Sequence, residues 1–70
     1  MTEPSYVRLA NDVAAQFHHL PPDEAASEIA NHLRMFWHPS MREHLQQHVA
    51  AGGVDLDPLV VSAVHKLQAA

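Results

Sequence analysis

The chain contains no cysteine, and this absence removes several kinds of site at once. Without thiols it cannot form a disulfide, a thiolate zinc site or the usual cysteine-ligated iron–sulfur cluster. Glycine is scarce too, because the chain has only the two residues Gly52 and Gly53, so it offers no glycine-rich loop for a nucleotide phosphate. We therefore expect the chain to hold no redox centre, nucleotide or other cofactor.

Fixed positive charge is also scarce. Lysine and arginine together number four, at Arg8, Arg34, Arg42 and Lys66, against eight acidic residues, which gives a net charge of −4. These cations are scattered along the sequence, so they form no basic stripe that could neutralise a row of phosphates. Nucleic-acid binding depends on such a stripe, and we expect none here.

Long apolar runs are missing as well. No stretch approaches the roughly 20 apolar residues that a helix needs to cross a bilayer. The opening residues, MTEPSY, lack the basic start and apolar core of a secretory signal peptide. We therefore expect no membrane association and a cytoplasmic location.

The 70 residues predict one small domain spanning 1–70, with 47% of them hydrophobic. In a domain of this size, burial returns about as much free energy as ordering the chain costs, so a disulfide, a metal or a partner usually adds stability. With disulfides excluded, a partner is the simplest addition. A chain this short also has little means of enclosing an active-site pocket, and we expect no catalytic residue.

Prolines and glycines divide the chain into four helical segments. The first covers about 5–19 and ends at Pro21-Pro22, and the second runs from Pro22 to about 37. Pro39 opens the third, which ends near the Gly52-Gly53 cap. Asp57, as N-cap, and Pro58 open the fourth, which runs to about 68. These short connections predict an all-α fold, a small antiparallel bundle of three to four short helices.

Each segment carries apolar residues at helical spacing, which we expect to face the core. They are Tyr6, Leu9, Ala10, Val13, Phe17 and Leu20 in the first segment; Ala25, Ala26, Ile29, Ala30, Leu33, Phe36 and Trp37 in the second; Met41, Leu45 and Val49 in the third; and Leu59, Val60, Ala63, Val64 and Leu67 in the fourth.

The adjacent rings of Phe36 and Trp37 are the most informative feature of the second segment. Neighbouring helical residues point about 100° apart, so two such rings cannot both occupy the centre of a narrow core. One alternative places both in the core, and the other places one at its edge, where a partner covers it. Aromatic and arginine residues dominate binding hot spots, so we predict a partner interface here. Its residues are Arg34, Met35, Phe36, Trp37, Pro39, Met41 and Arg42.

Histidine is abundant, with seven residues, and it raises a metal-binding alternative. His44 and His48 are four residues apart, so both imidazoles lie on one helix face, as zinc sites often require. The glutamate of the HExxH motif is missing, because Glu43 precedes the first histidine of the pair. A free-standing histidine-based metal-binding domain is therefore the alternative function.

Three stretches of the chain resemble one protein family. They are YVRLANDVAAQF, IANHLRMFWHPSMR and LQQHVAAGGVDLDPLVVSAV, which together extend from Tyr6 to Val64. Their order and spacing resemble the delta subunit of soluble NAD-dependent formate dehydrogenases that contain molybdenum or tungsten. That family commonly has an acid at the position of His38, so we expect the cap of the third helix to be weaker here or supplied by Ser40.

The resemblance implies a non-catalytic accessory subunit without a redox centre. In that family the alpha subunit carries the molybdenum cofactor and iron–sulfur clusters, and the beta and gamma subunits carry flavin and further clusters. The delta subunit supports assembly or stability of the complex. We therefore expect this chain to dock on the alpha subunit of a formate dehydrogenase, with the beta and gamma subunits in the same complex.

Overall fold

A computed structural model describes residues 5–69, and they fold into four α-helices without any strand in that range. The helices are α1 (Ser5–Ala15), α2 (Pro22–Phe36), α3 (Pro39–Ala50) and α4 (Pro58–Ala69). The predicted all-α bundle is thus confirmed. Lys66 Nζ lies 3.3 Å from Asp23 Oδ1, so the end of α4 lies near the start of α2, as expected for antiparallel neighbours.

Proline sets the helix starts, as the sequence predicts. α2 and α3 have proline in the first turn, where the missing N–H costs no helical hydrogen bond, and α4 begins at Pro58. The end of α1 differs from the prediction, because the helix stops at Ala15 instead of near residue 19. Beyond it, Gln16 and Phe17 donate their N–H groups to carbonyls three residues back, which tightens the chain into turns.

The core lies mainly between α2 and α4, with α1 and α3 packed against them. Its members are small or aliphatic: Val7, Ala10, Val13, Ala14, Ala25, Ala26, Ile29, Ala30, Leu33, Leu45, Val60, Ala63 and Val64. Most were predicted from helical spacing. Leu9 is the exception on α1, since it is 46% exposed, while Val7 and Ala14 are buried instead. The buried face of α1 is therefore rotated from the predicted one.

The loop between α3 and α4 is fixed by polar contacts. The Gly53 N–H donates to the carbonyl of His48 at 3.0 Å, and the positive φ of 66° makes glycine suitable there. Asp57 is the predicted N-cap of α4, because its Oδ1 accepts the N–H of Leu59 at 2.9 Å. Its Oδ2 lies 2.6 Å from His18 Nε2, which joins the turn after α1 to the start of α4.

Candidate partner interface

Phe36 and Trp37, at the end of α2, differ in how far their rings are buried. Phe36 is 70% exposed, whereas the Trp37 ring is half-buried against the core. The helix ends at Phe36, and Trp37 has an extended backbone with φ −89° and ψ 139° while its N–H still donates to Leu33 O. The prediction that at least one ring lies at the edge is confirmed. The placement of Phe36 on the inward face of α2 is wrong, because the buried face narrows to Leu33 in the last turn.

Met35 and Phe36 form an exposed apolar corner, which we call the Met35–Phe36 corner. Met35 is 73% exposed, and the Phe36 ring is partly covered by the imidazole of His32, with centroids 4.9 Å apart. Leu9 and Val54 are the other large apolar residues exposed within residues 5–69, and each stands apart from them in sequence. Single exposed apolar residues are ordinary, whereas Met35 and Phe36 are two large ones that follow each other in the chain.

Two of the predicted interface residues, Arg34 and Arg42, line a groove of about 460 Å³. Its lining comes from α2, α3 and α4: Arg34, Pro39, Arg42, Glu43, Gln46 and Leu67. The four residues from α3 have helical spacing i, i+3, i+4 and i+7, so they share one face of that helix. The structure thus brings together three of the predicted interface residues, Arg34, Pro39 and Arg42, and adds three others that the sequence analysis did not assign to the interface.

The remaining interface residues lie at the α2–α3 junction. Pro39 is exposed at the first position of α3, and Met41 is half-buried two residues later. Trp37 packs against the core, whereas Arg34, Met35 and Phe36 are exposed. This division identifies the last turn of α2 as the most accessible part of the predicted surface.

His38 is itself the N-cap of α3. Its Nδ1 accepts the N–H of Ser40 at 3.2 Å and also lies 2.9 Å from the Ser40 hydroxyl. The expectation that Ser40 supplies the cap is therefore wrong, because the imidazole performs the role that an acidic side chain would perform at this position.

The histidine pair of α3 packs beside an aromatic ring. The Tyr6 ring centroid lies 5.9 Å from that of His44 and 5.7 Å from that of His48. His48 Nε2 is 2.7 Å from the carbonyl oxygen of Val54, so it donates to that oxygen and is not directed at a shared ligand position with His44. Within the described range, no group of three or more His, Cys, Asp or Glu side chains could hold a metal ion.

Comparison with known families decides the classification. A family model of the NADH-dependent formate dehydrogenase delta subunit, FdsD, matches residues 6–64. The chain belongs to this family. The match covers the same stretch, Tyr6 to Val64, on which the resemblance was based, and it includes the Met35–Phe36 corner. No curated protein and no solved structure shows detectable similarity to the chain.

The delta-subunit chain has no helix, among the residues that the structure describes, with the length and apolar character needed to cross a membrane. The four helices have between 11 and 15 residues each. A bilayer-spanning helix requires about 20.

Proposed function

We propose that this delta subunit is a non-catalytic accessory subunit that docks on the catalytic alpha subunit of its formate dehydrogenase. It supports assembly or stability of the complex, and formate oxidation with NAD takes place in the partner subunits. Membership of the delta-subunit family supports this role most directly. The composition agrees with it, because a chain without cysteine cannot ligate the usual iron–sulfur clusters that carry electrons in such enzymes.

The observation that supports docking at a particular place is the exposure of Met35 and Phe36. Both residues stand in the last turn of α2 with more than two thirds of their surface accessible. Fully burying one such side chain is worth about 1.5–3 kcal/mol, so a partner that covers both would gain binding free energy from them. The adjacent Arg34 adds a polar rim of the kind found around buried hot spots.

The mechanism of such a subunit is binding energy alone. A chain that binds the alpha subunit more tightly in the assembled complex than when that subunit is separate shifts the equilibrium toward the complex by mass action. The proposed contact consists of Met35 and Phe36 at the centre, Trp37, Pro39 and Met41 beside them, and Arg34 and Arg42 at the rim. Trp37 packs against the core and Met41 is half-buried, so substituting either one would change partly buried surface together with the contact.

The decisive variants therefore change only the exposed pair. We expect Met35→Ser combined with Phe36→Ser to reduce recovery of the alpha, beta and gamma subunits with the tagged delta chain, while the helical content of the purified chain stays unchanged. Val54→Ser is the matched control, because Val54 is 64% exposed and follows the opposite end of the 12-residue α3. If the double variant recovers as much of the partner subunits as the wild type does, Met35 and Phe36 are not part of the docking surface.

A further inference from the structure

Arg34 and Arg42 are two of the four Lys and Arg residues in a chain with net charge −4, and both line the same groove. Two ion pairs form within residues 5–69, Lys66 with Asp23 and His18 with Asp57, and neither involves these arginines. Arg34 donates one hydrogen bond, from Nη1 to Asn31 Oδ1 at 3.1 Å. A guanidinium has five N–H donors, so both groups retain most of their capacity for an outside acceptor.

The groove suits a protein segment better than a small molecule. Small-molecule sites are enclosed and mostly apolar, with a few polar groups. This groove is open to solvent, and charged or amide side chains supply much of its lining, with Pro39 and Leu67 as its apolar members. Its volume of about 460 Å³ accommodates a few side chains of an extended or helical segment.

We propose that the groove binds an acidic segment of the partner subunit, with a carboxylate of that segment paired to Arg34 and Arg42. The planar guanidinium matches a carboxylate in two parallel hydrogen bonds, which gives the contact both direction and specificity. Glu43 lies on the groove-lining face of α3 and disfavours a second carboxylate close to it. The bound segment therefore places its negative charge on the side of the groove formed by the two arginines. This inference rests on the proposed function and specifies the chemistry of the docking partner.

Arg34 lines the groove and directly precedes the Met35–Phe36 corner in the last turn of α2, so the groove and the corner use the same turn of that helix. A single partner segment that covers the corner with apolar residues can therefore place its acidic residue over the groove. Hydrophobic anchors would provide affinity, and the arginine pair would provide register and orientation, as charged groups commonly do in interfaces.

Binding of purified delta chain to the purified complex of the other subunits, measured over a range of salt concentrations, tests the proposal. We expect Arg34→Gln combined with Arg42→Gln to weaken binding by about tenfold or more and to reduce its salt dependence, because a charge pair is lost. Arg8→Gln is the control, since Arg8 is an exposed arginine on α1, outside the groove. It removes one positive charge and is expected to bind as the wild type does.

The outcomes separate the inference from the proposed function. If the wild type binds and the double variant binds equally well with the same salt dependence, the proposed binding of an acidic segment in the groove is refuted. The proposed docking on the partner subunit is then unaffected. If the wild type does not bind, docking and the inference both fail. Circular dichroism of each variant serves as the control that its helices are retained.

A cross-link identifies the segment itself. Because the natural chain has no cysteine, Gln46→Cys provides one labelling position in the groove for a benzophenone probe, and Val54→Cys provides one outside it. We expect the Gln46→Cys probe, in the reconstituted complex, to attach to a partner peptide rich in Asp or Glu that the Val54→Cys probe does not reach. Attachment of the Gln46→Cys probe to a neutral or basic peptide overturns the inference.

Discussion

The side-chain Oδ1 of Asn11 accepts the backbone N–H of Asp57 at 2.8 Å, which joins α1 to the N-cap of α4. The same amide donates from Nδ2 to the carbonyl oxygen of Asp55, also at 2.8 Å. One side chain thus holds the backbone on both sides of Leu56, although it lies more than 40 residues earlier in the chain. This contact is one of the polar contacts that hold the α3–α4 loop in position.

Replacing Asn11 with alanine removes both hydrogen bonds and leaves the part-buried N–H of Asp57 without its acceptor. We expect Asn11→Ala to lower the free energy of unfolding by about 1–3 kcal/mol, as for other partly satisfied buried groups. Urea denaturation followed by circular dichroism measures the change. Asn31→Ala is the control, because Asn31 is exposed and bonds only within its own helix, to Arg34. A loss no larger in Asn11→Ala than in this control would contradict the proposed role of Asn11.

His38 allows a direct test of the cap of α3. Its Nδ1 accepts the N–H of Ser40, and alanine cannot do so, so we expect His38→Ala to cost about 0.5–2 kcal/mol. His38→Asp keeps an acceptor and adds a negative charge at the helix N-terminus, where it is favourable. The stability order measured by urea denaturation should be Asp at least equal to His, and His above Ala. If alanine is as stable as histidine, the imidazole does not act as the cap.

Phe36, the last residue of α2, and Trp37, which follows it, should differ sharply in how much their substitution lowers stability. Trp37 is half-buried against the core, so we expect Trp37→Ala to cost about 2 kcal/mol, below the value for a fully buried ring. Phe36 is 70% exposed, and Phe36→Ala should stay within about 0.5–1 kcal/mol of the wild type. Thermal unfolding of the two variants under identical conditions compares them. Equal losses would show that Phe36 also packs within the free chain.

The number of helices can be predicted from the local sequence, because proline and glycine act directly on the backbone. Most of the core can be predicted too, because the spacing of apolar residues indicates which face of each helix is buried. Helical spacing failed within α1, where Leu9 is exposed and Val7 and Ala14 are buried, and at the end of α2, where the backbone departs from the helix. Trp37 has an extended backbone, so its ring does not follow the 100° spacing between neighbouring helical residues. The outward orientation of Phe36 can be inferred only once the helix is known to end there. The early end of α1 was missed for a related reason, since the residues after Ala15 form turns without a proline or glycine.

The long-range polar contacts had no signal in the sequence. Asn11 and Asp57 meet because α1 and α4 pack together, and no spacing rule joins residues so far apart. The interface itself stays a prediction, but three of its residues, Arg34, Pro39 and Arg42, line one groove. Their groove also needed Gln46 and Leu67, which face it from α3 and α4. The face shared by Pro39, Arg42, Glu43 and Gln46 could have been read from their spacing alone.

The fraction of alpha subunit found in the complete complex, with and without this chain, tests the accessory role most directly. Native mass spectrometry of the complex purified through the alpha subunit measures that fraction, and the Met35→Ser, Phe36→Ser and Val54→Ser variants extend the comparison. We expect the fraction to fall when the chain is omitted, to fall with Met35→Ser and Phe36→Ser combined, and to be restored by the wild type and by Val54→Ser. A complete, equally stable and equally active complex in the absence of the chain would contradict the accessory role.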